Sequence, residues 1–350
     1  MQVSKQLIQW YEKHQRDLPW RRTQDPYLIW LSEVILQQTR VDQGLPYYTK
    51  FSEAYPTVGQ MAAAPEDDIM KLWQGLGYYS RARNMHHTAQ LVVSKYDGIF
   101  PNTLEGLLSL KGIGPYTAAA IASLAFNLPH AVVDGNVYRV LARLYGIAEP
   151  INSTSGVKIF KQLADDLLDR KNPGTYNQAL MEFGATWCKP ANPKCEDCIF
   201  RLHCQAYKDN TVQQLPAKVK AKPVKERFLN YLFIRKKKGT FIKQRTENDI
   251  WKNLYDLPCI ETPRALSEAE LLELKDYKDL DAAGKLNLMG QTLLKHKLTH
   301  RDIYATFWIF DAPQNFTFKK NTIFEIAWTE LGNFAISRLF ENFLKQHNEK

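Results

Sequence analysis

The chain has 350 residues, of which 46 are Lys or Arg and 37 are Asp or Glu, giving a formal net charge of +9 at neutral pH. That length suits about two domains of roughly 150 residues each, and the positive excess favours a polyanionic partner, nucleic acid ahead of a membrane surface. No stretch of eighteen apolar residues occurs and the first residues lack the apolar core of a signal peptide, so no membrane-spanning helix is expected and the protein is expected in the cytoplasm.

In chain order, residues 1–205 read as mostly helical. The start, MQVSKQLIQWYEKHQRDLPW, is an amphipathic helix pattern, and apolar residues recur at steps of three and four through Pro26–Val41, Pro65–Leu76, Ala82–Tyr96 and Tyr116–Phe126. In LLSLKGIGPYTAAAIASLAF (107–126), Gly112 and Gly114 join two helical stretches. Such a turn lets backbone N–H groups at a helix start come close to a phosphate. A plain tight turn would look the same. Asp134, in AVVDGNVYRVLARLYG, follows an apolar run and precedes a helix, the position of an N-cap.

Cys188, Cys195, Cys198 and Cys204 follow with the spacing C-x6-C-x2-C-x5-C. Disulfides are rare in the cytoplasm, so the group points to a metal or cluster. Zinc and iron–sulfur are the candidates. Four-cysteine zinc sites bring two close pairs together, whereas here there is one, and four cysteines in one short loop suit a [4Fe–4S] cluster better. Residues 206–225 are polar, lysine-rich and carry two prolines, as a linker does. Beyond them, RFLNYLFIRKKKGTFIKQR alternates like a β-hairpin, KHKLTHRDIYATFWIF reads as two more strands, and helices are expected at Ser267–Leu280 and Asn333–Gln346. The second domain, 226–350, is thus expected to be α+β.

Taken together, L-x-G-I-G-x-x-T-A, V-D-x-N-V-x-R-V and the cysteine spacing resemble the helix–hairpin–helix DNA glycosylases that carry an iron–sulfur loop. The resemblance implies a mostly α domain over 1–205 with its [4Fe–4S] loop at 188–204, and a hairpin, Gly112 and Gly114, that grips DNA. Within that superfamily, the lyase branch has a lysine before the hairpin's Thr-Ala, where this chain has Tyr116. Without that amine no imine is expected. The segment IWLSEVILQQTRV (29–41) is instead similar to the signature helix of the MutY-type adenine glycosylases. Ile29, Trp30 and Leu36 surround Glu33 at helical steps, and a carboxyl on such an apolar surface keeps its proton to higher pH, as a general acid must at neutral pH.

What that branch implies here is a monofunctional adenine glycosylase of base excision repair. It would act on adenine opposite 8-oxoguanine or guanine in double-stranded DNA, as a nucleoid-associated, cytoplasmic monomer. Glu33 would protonate adenine and Asp134 would stabilise the sugar cation. Tyr116 and Asn136 would order the sugar and the carboxylates. Trp20, Arg21 and Leu36 would contact the flipped adenine or its surroundings, and Gln38, Thr39 and Tyr78 the lesion and the opened duplex. Residues 226–350 resemble the Nudix-like 8-oxoguanine recognition domain of the same branch, DIWKNLYDLPCIE being similar to one of its segments. The acidic helix of a Nudix hydrolase is missing after Pro258, so nucleotide hydrolysis is not expected. The family's lesion loop, typically Phe-Ser-His, is here Leu298-Thr299-His300, which retains a hydroxyl in Thr299 and the imidazole of His300. Tyr138 stands where relatives often have lysine.

Overall fold

A computed structural model describes residues 3–220, 223–280, 285–298, 301–318 and 322–347. The chain divides into two compact units, one of residues 1–63 and 84–221, the other of 64–83 and 222–350. This differs from the expected limits of 1–205 and 226–350, since 64–83 group with the second unit. Within the first unit, part of the expected linker is folded: the Leu215 carbonyl accepts from Arg143 and the Ala217 carbonyl from the Ile151 N–H.

The helices are α1 (Val3–His14), α2 (Pro26–Leu36), α3 (Val41–Ala54), α4 (Val58–Ala63), α5 (Glu66–Leu72), α6 (Ser80–Tyr96), α7 (Leu104–Leu108), α8 (Pro115–Phe126), α9 (Gly135–Tyr145), α10 (Thr154–Leu167), α11 (Pro173–Thr186) and α12 (Gln205–Lys208). Their starts follow from local chemistry. Asp25 caps α2 by accepting from the Tyr27 N–H, and Asp134 caps α9 by accepting from the Val137 N–H. Proline opens α2, α8 and α11, where its missing N–H costs nothing. The helix expected over Pro26–Val41 is two helices. It stops at Leu36, Gln38 turns left-handed at φ +55°, and α3 begins at Val41.

One core of the first unit joins Leu7 and Trp10 of α1 to Leu141 of α9, Phe160 of α10 and Tyr176, Leu180 and Phe183 of α11. The Trp10 ring meets Phe183 edge-on at 4.9 Å, so the amino-terminal helix is part of the fold. Asn177 on α11 is almost fully buried. Its amide donates to Ser123 Oγ and the His130 carbonyl, and its oxygen accepts from the Val132 N–H, which pins the extended stretch leading to Asp134.

In the second unit, β1 (Lys225–Arg235), β2 (Gly239–Gln244), β3 (Tyr255–Asp256), β4 (Cys259–Thr262), β5 (Asn287–Lys297), β6 (Arg301–Asp311) and β7 (Ile323–Ala327) form two sheets, ordered β4-β1-β6-β5 and β3-β2-β7. β1 and β6 are parallel; the remaining neighbours are antiparallel. The hairpin expected from RFLNYLFIRKKKGTFIKQR is not a ladder. Beyond the Lys236–Gly239 bridge, β1 and β2 enter different sheets. The two strands expected in KHKLTHRDIYATFWIF are present as β5 and β6, which pair with each other. The helix expected over Ser267–Leu280 is split at Leu274 into α13 (Glu268–Glu273) and α14 (Lys275–Leu280), and the last, α15 (Arg338–Gln346), starts later than expected, capped by Ser337. Phe307 stacks on Tyr231 at 4.8 Å and on Phe343 of α15 at 4.1 Å, tying the larger sheet to that helix.

Candidate active site

α2 is buried on nearly all sides, from Tyr27 to Ile35, and this carries Glu33 into the interior at 8% exposure. A lone carboxylate is costly there. The Tyr116 hydroxyl lies against it, donating to Glu33 Oε2 at 2.7 Å. Burial pushes the Glu33 carboxyl up to about 7. The Tyr116 hydrogen bond opposes this, and the charge of Asp134 adds to it. Glu33 is therefore about half protonated at neutral pH and largely protonated below it. Tyr116 itself is held neutral, its pKa raised by burial and by both carboxylates.

Asp134 has a different environment. One oxygen accepts from the Val137 N–H and the other from Asn136 Nδ2, both at 2.7 Å. Burial raises its pKa on balance, with these donors and Arg139 acting against the rise. Glu33 has one neutral hydroxyl as its partner, Asp134 two N–H donors and a nearby guanidinium. When one proton is shared between such carboxyls, Asp134 is the one that ionises first.

Leu36, Gln38, Gly112, Gly114, Tyr116 and Asp134 line one open cleft of about 550 Å³. No lysine lines it. Gly112 is a glycine for an internal reason: its φ is +80°, and a Cβ would lie 2.9 Å from that of Asn84. Gly114 has an ordinary φ and open space where a Cβ would be, so its bare backbone faces outward at the start of α8. Thr39 sits beside the α2 break, its hydroxyl donating to the Gln37 carbonyl. Tyr78, in the second unit, is 44% exposed and left-handed at φ +49°. Gln38 and Tyr78 thus both hold a backbone conformation that ordinary residues seldom adopt, a form of strain that recurs at functional sites. Thr299 and His300 lie outside the described residues.

Residues 31–162 match the model of the HhH-GPD superfamily of base excision DNA repair proteins, and residues 230–346 that of the NUDIX domain. An adenine DNA glycosylase of Buchnera aphidicola subsp. Baizongia pistaciae is 36% identical over 307 residues, covering 87% of this chain and 84% of its own. Another, from Buchnera aphidicola subsp. Acyrthosiphon pisum, is 32% identical over 98% of this chain and 97% of its own. The chain belongs to the adenine DNA glycosylase family. As a member it is a DNA N-glycosylase. Among solved structures, a thermostable thymine-DNA glycosylase superposes with a TM-score of 0.55 at 32% identity, over 59% of this chain and 95% of that one. The first unit therefore has the helix–hairpin–helix glycosylase fold, and the second is the α+β, Nudix-like part.

In this glycosylase Cys188, Cys195, Cys198 and Cys204 form no disulfide and line one pocket together with Arg143. Arg143, at 3% exposure, donates to the carbonyls of Lys189 and Pro190 and reaches Cys188 Sγ at 3.4 Å. Lys194 sits over the Trp187 ring at 4.5 Å. One turn before Arg143, Arg139 donates to the carbonyls of Cys188 and Gly184 and to Asn136 Oδ1, each at 2.8 Å. A continuous set of hydrogen bonds thus runs from the cysteine loop through Arg139 and Asn136 to Asp134.

Trp20 and Arg21 do not line the cleft. Trp20 is buried edge-on against Tyr48, and Arg21 joins Arg16 on Glu182, whose side chain is fully buried. Burial raises that carboxyl, but the two guanidiniums outweigh it and hold it at about 2. Sequence reading missed Glu182, Arg16, Arg139, Arg143 and Asn177. For Arg139 and Arg143 there was a signal: cations four apart in YRVLARLY share a helix face flanked by apolar residues. Glu182 and Asn177 gave none.

Arg139→Leu is expected to leave the Cys188 and Gly184 carbonyls and Asn136 Oδ1 without their donor, at a cost of about 3–5 kcal/mol in stability. Thermal unfolding reads this directly. Arg139→Lys should rescue little of it, because one ammonium does not span partners arranged for a planar fork.

Proposed function

We propose that this glycosylase removes adenine paired with 8-oxoguanine, or with guanine, from double-stranded DNA by hydrolysing the N-glycosidic bond, without a lyase step. The observation that carries the reading is the Glu33–Tyr116–Asp134 set: Tyr116 and Asp134 line one cleft, and Glu33, buried behind its lining, is joined to it through the Tyr116 hydroxyl. Adenine leaves poorly as an anion, and Glu33 supplies the proton, to N7, that makes it a neutral leaving group. The sugar becomes oxocarbenium-like, and ionised Asp134 stabilises that cation. Two carboxyls with opposed protonation states are the arrangement glycoside hydrolysis uses. Tyr116 holds Glu33, and Asn136 holds Asp134. The absence of a lysine from the cleft lining supports hydrolysis over imine formation.

The adenine must leave the helix stack to reach Glu33. Gln38, Thr39 and Tyr78 are the residues we assign to the opened duplex, and Leu36, Trp20 and Arg21 to the flipped base and its surroundings, Arg21 being oriented by Glu182. Gly112 and Gly114 present backbone to a strand phosphate. Thr299 and His300 are assigned to the 8-oxoguanine. Cys188, Cys195, Cys198 and Cys204 would hold a [4Fe–4S] cluster. All four thiols of this one short loop line one pocket, the arrangement that suits a cluster. The cluster would supply a fixed shape to the loop from which Arg139 takes its position. The domains act as a glycosylase part, 1–205, and a lesion-reading part, 226–350, in a nucleoid-associated monomer of the cytoplasm.

The test is single-turnover excision on a labelled duplex with A opposite 8-oxoguanine, with T opposite 8-oxoguanine as control and half of each reaction treated with alkali. Breaks that need both adenine and alkali are expected. Breaks without alkali would mean a lyase nucleophile and overturn the hydrolytic reading. Tyr116→Phe should slow excision about tenfold through loss of the hydrogen bond that positions Glu33. It should also shift the alkaline limb of the pH profile upward, because the hydroxyl favours ionised Glu33.

A further inference from the structure

Tyr78 and Tyr79 are neighbours with opposite surroundings: the first is 44% exposed, the second 3%. Both belong to the second unit, although they lie far from residues 222–350 in the chain. The loop that carries them has little stiffness of its own, since Gly75, Gly77 and Tyr78 all have positive φ, at +98°, +73° and +49°. Part of its support is local. Trp73 is fully buried, and its indole N–H donates to the Gly77 carbonyl at 3.0 Å, which also accepts from Arg81. The Arg81 guanidinium packs on the Trp73 ring at 5.0 Å and on the Tyr78 ring at 5.8 Å.

The rest of the support comes from the carboxyl-terminal part of the same unit. The Tyr79 hydroxyl accepts from the Gly75 N–H at 3.3 Å and donates to the Ile336 carbonyl at 3.2 Å. One oxygen thus closes the 75–79 loop and fastens it to residue 336. Lys71 adds a second tie, donating to the Phe334 carbonyl at 3.0 Å and to Gln74 at 3.1 Å. The 334–336 stretch is itself held, because the Tyr255 N–H donates to the Ala335 carbonyl at 2.8 Å and the Tyr255 ring meets Phe334 edge-on at 4.7 Å. A ring that must enter a base stack costs less to place when its loop is ordered beforehand.

We propose that Tyr79 is a positioning residue for Tyr78, and that residues 334–336 set, through Tyr79 and Lys71, the pose in which the Tyr78 ring enters the opened duplex. The proposal rests on the assignment of Tyr78 to that duplex. It gives the carboxyl-terminal part a role in opening DNA that is separate from reading the lesion. Because Tyr79 is buried and acts only through its neighbour, the effect is the same whether adenine stands opposite 8-oxoguanine or opposite guanine.

The experiment is stopped-flow fluorescence of 2-aminopurine placed beside the base opposite adenine, with the full chain at saturating concentration, reading the unstacking that precedes excision. Duplexes with 8-oxoguanine and with guanine are compared for Tyr78→Ala, Tyr79→Phe and the double variant. Tyr79→Phe is expected to lower the opening equilibrium about fivefold, the factor for one neutral hydrogen bond, and to do so on both duplexes. The double variant should open no less than Tyr78→Ala alone, because the two residues act as one device. Lys71→Met keeps the Tyr79 hydroxyl and removes the second tie; it should act in the same direction, and it carries the test if Tyr79→Phe does not fold. Parental opening in both single ties overturns the proposal. So does a Tyr79→Phe defect that adds in full to that of Tyr78→Ala, or one confined to the 8-oxoguanine duplex. Parental opening in Tyr78→Ala removes the reading of Tyr78 and the proposal with it, whereas the other outcomes leave that reading in place.

Discussion

Glu33→Gln is expected to lower single-turnover excision by about 10²- to 10⁴-fold, the range for loss of a positioned general acid, while binding to lesion duplex is kept. The substitution is close to isosteric. The glutamine oxygen can still accept from Tyr116, so the pocket keeps its shape. The same change should make the protein more stable at pH 8. The native carboxyl titrates near 7 and a glutamate in the unfolded chain near about 4.3. Between those values the native state binds more protons than the unfolded one. Stability from this group is therefore fully present below the unfolded value and falls as pH rises toward 7. Glutamine removes that loss. A variant with excision lost and melting temperature raised at pH 8 would identify a catalytic group that the fold holds at a cost. Excision at the parent rate would remove Glu33 from the mechanism.

Asp134→Asn separates two roles that coincide at one side chain. Asparagine caps helices about as well as aspartate, so its oxygen should keep the Val137 N–H and α9 should form. The negative charge is gone, and with it the stabilisation of the sugar cation. Excision should fall by about 10²- to 10³-fold. The helical circular dichroism should stay unchanged. If excision survives, Asp134 is only a cap.

The two carboxyls were legible in the sequence in part. Helical spacing places Glu33 among Ile29, Trp30 and Leu36, but it was the family resemblance that made it an acid. Asp134 read locally as a helix N-cap, and its catalytic role likewise came from the resemblance. That Tyr116 reaches Glu33 followed only from the resemblance and not from spacing, since 83 positions separate them and the packing of α8 on α2 brings them together. The break after Leu36 was missed because QQTR contains neither glycine nor proline. The left-handed turn there is taken by Gln38, a residue that gives no warning of it. In the second unit, local alternation located the strands but not their partners. Whether β2 pairs with β1 or enters another sheet is decided by long-range packing, which a Lys-Gly turn does not encode. The cysteine spacing indicated a shared site, but not that α9 would fasten that loop to Asp134 through Arg139.

The central claim is that excision needs Glu33 protonated and Asp134 ionised together. The most direct measurement is the single-turnover excision rate on A opposite 8-oxoguanine from pH 5 to 9. The account predicts a rate that falls as pH rises through about 7, the value to which burial raises Glu33, with an acid limb below it as Asp134 takes up its proton. A rate that climbs steadily between pH 6 and 8 would mean that the essential group at this site is a base, and would contradict the account.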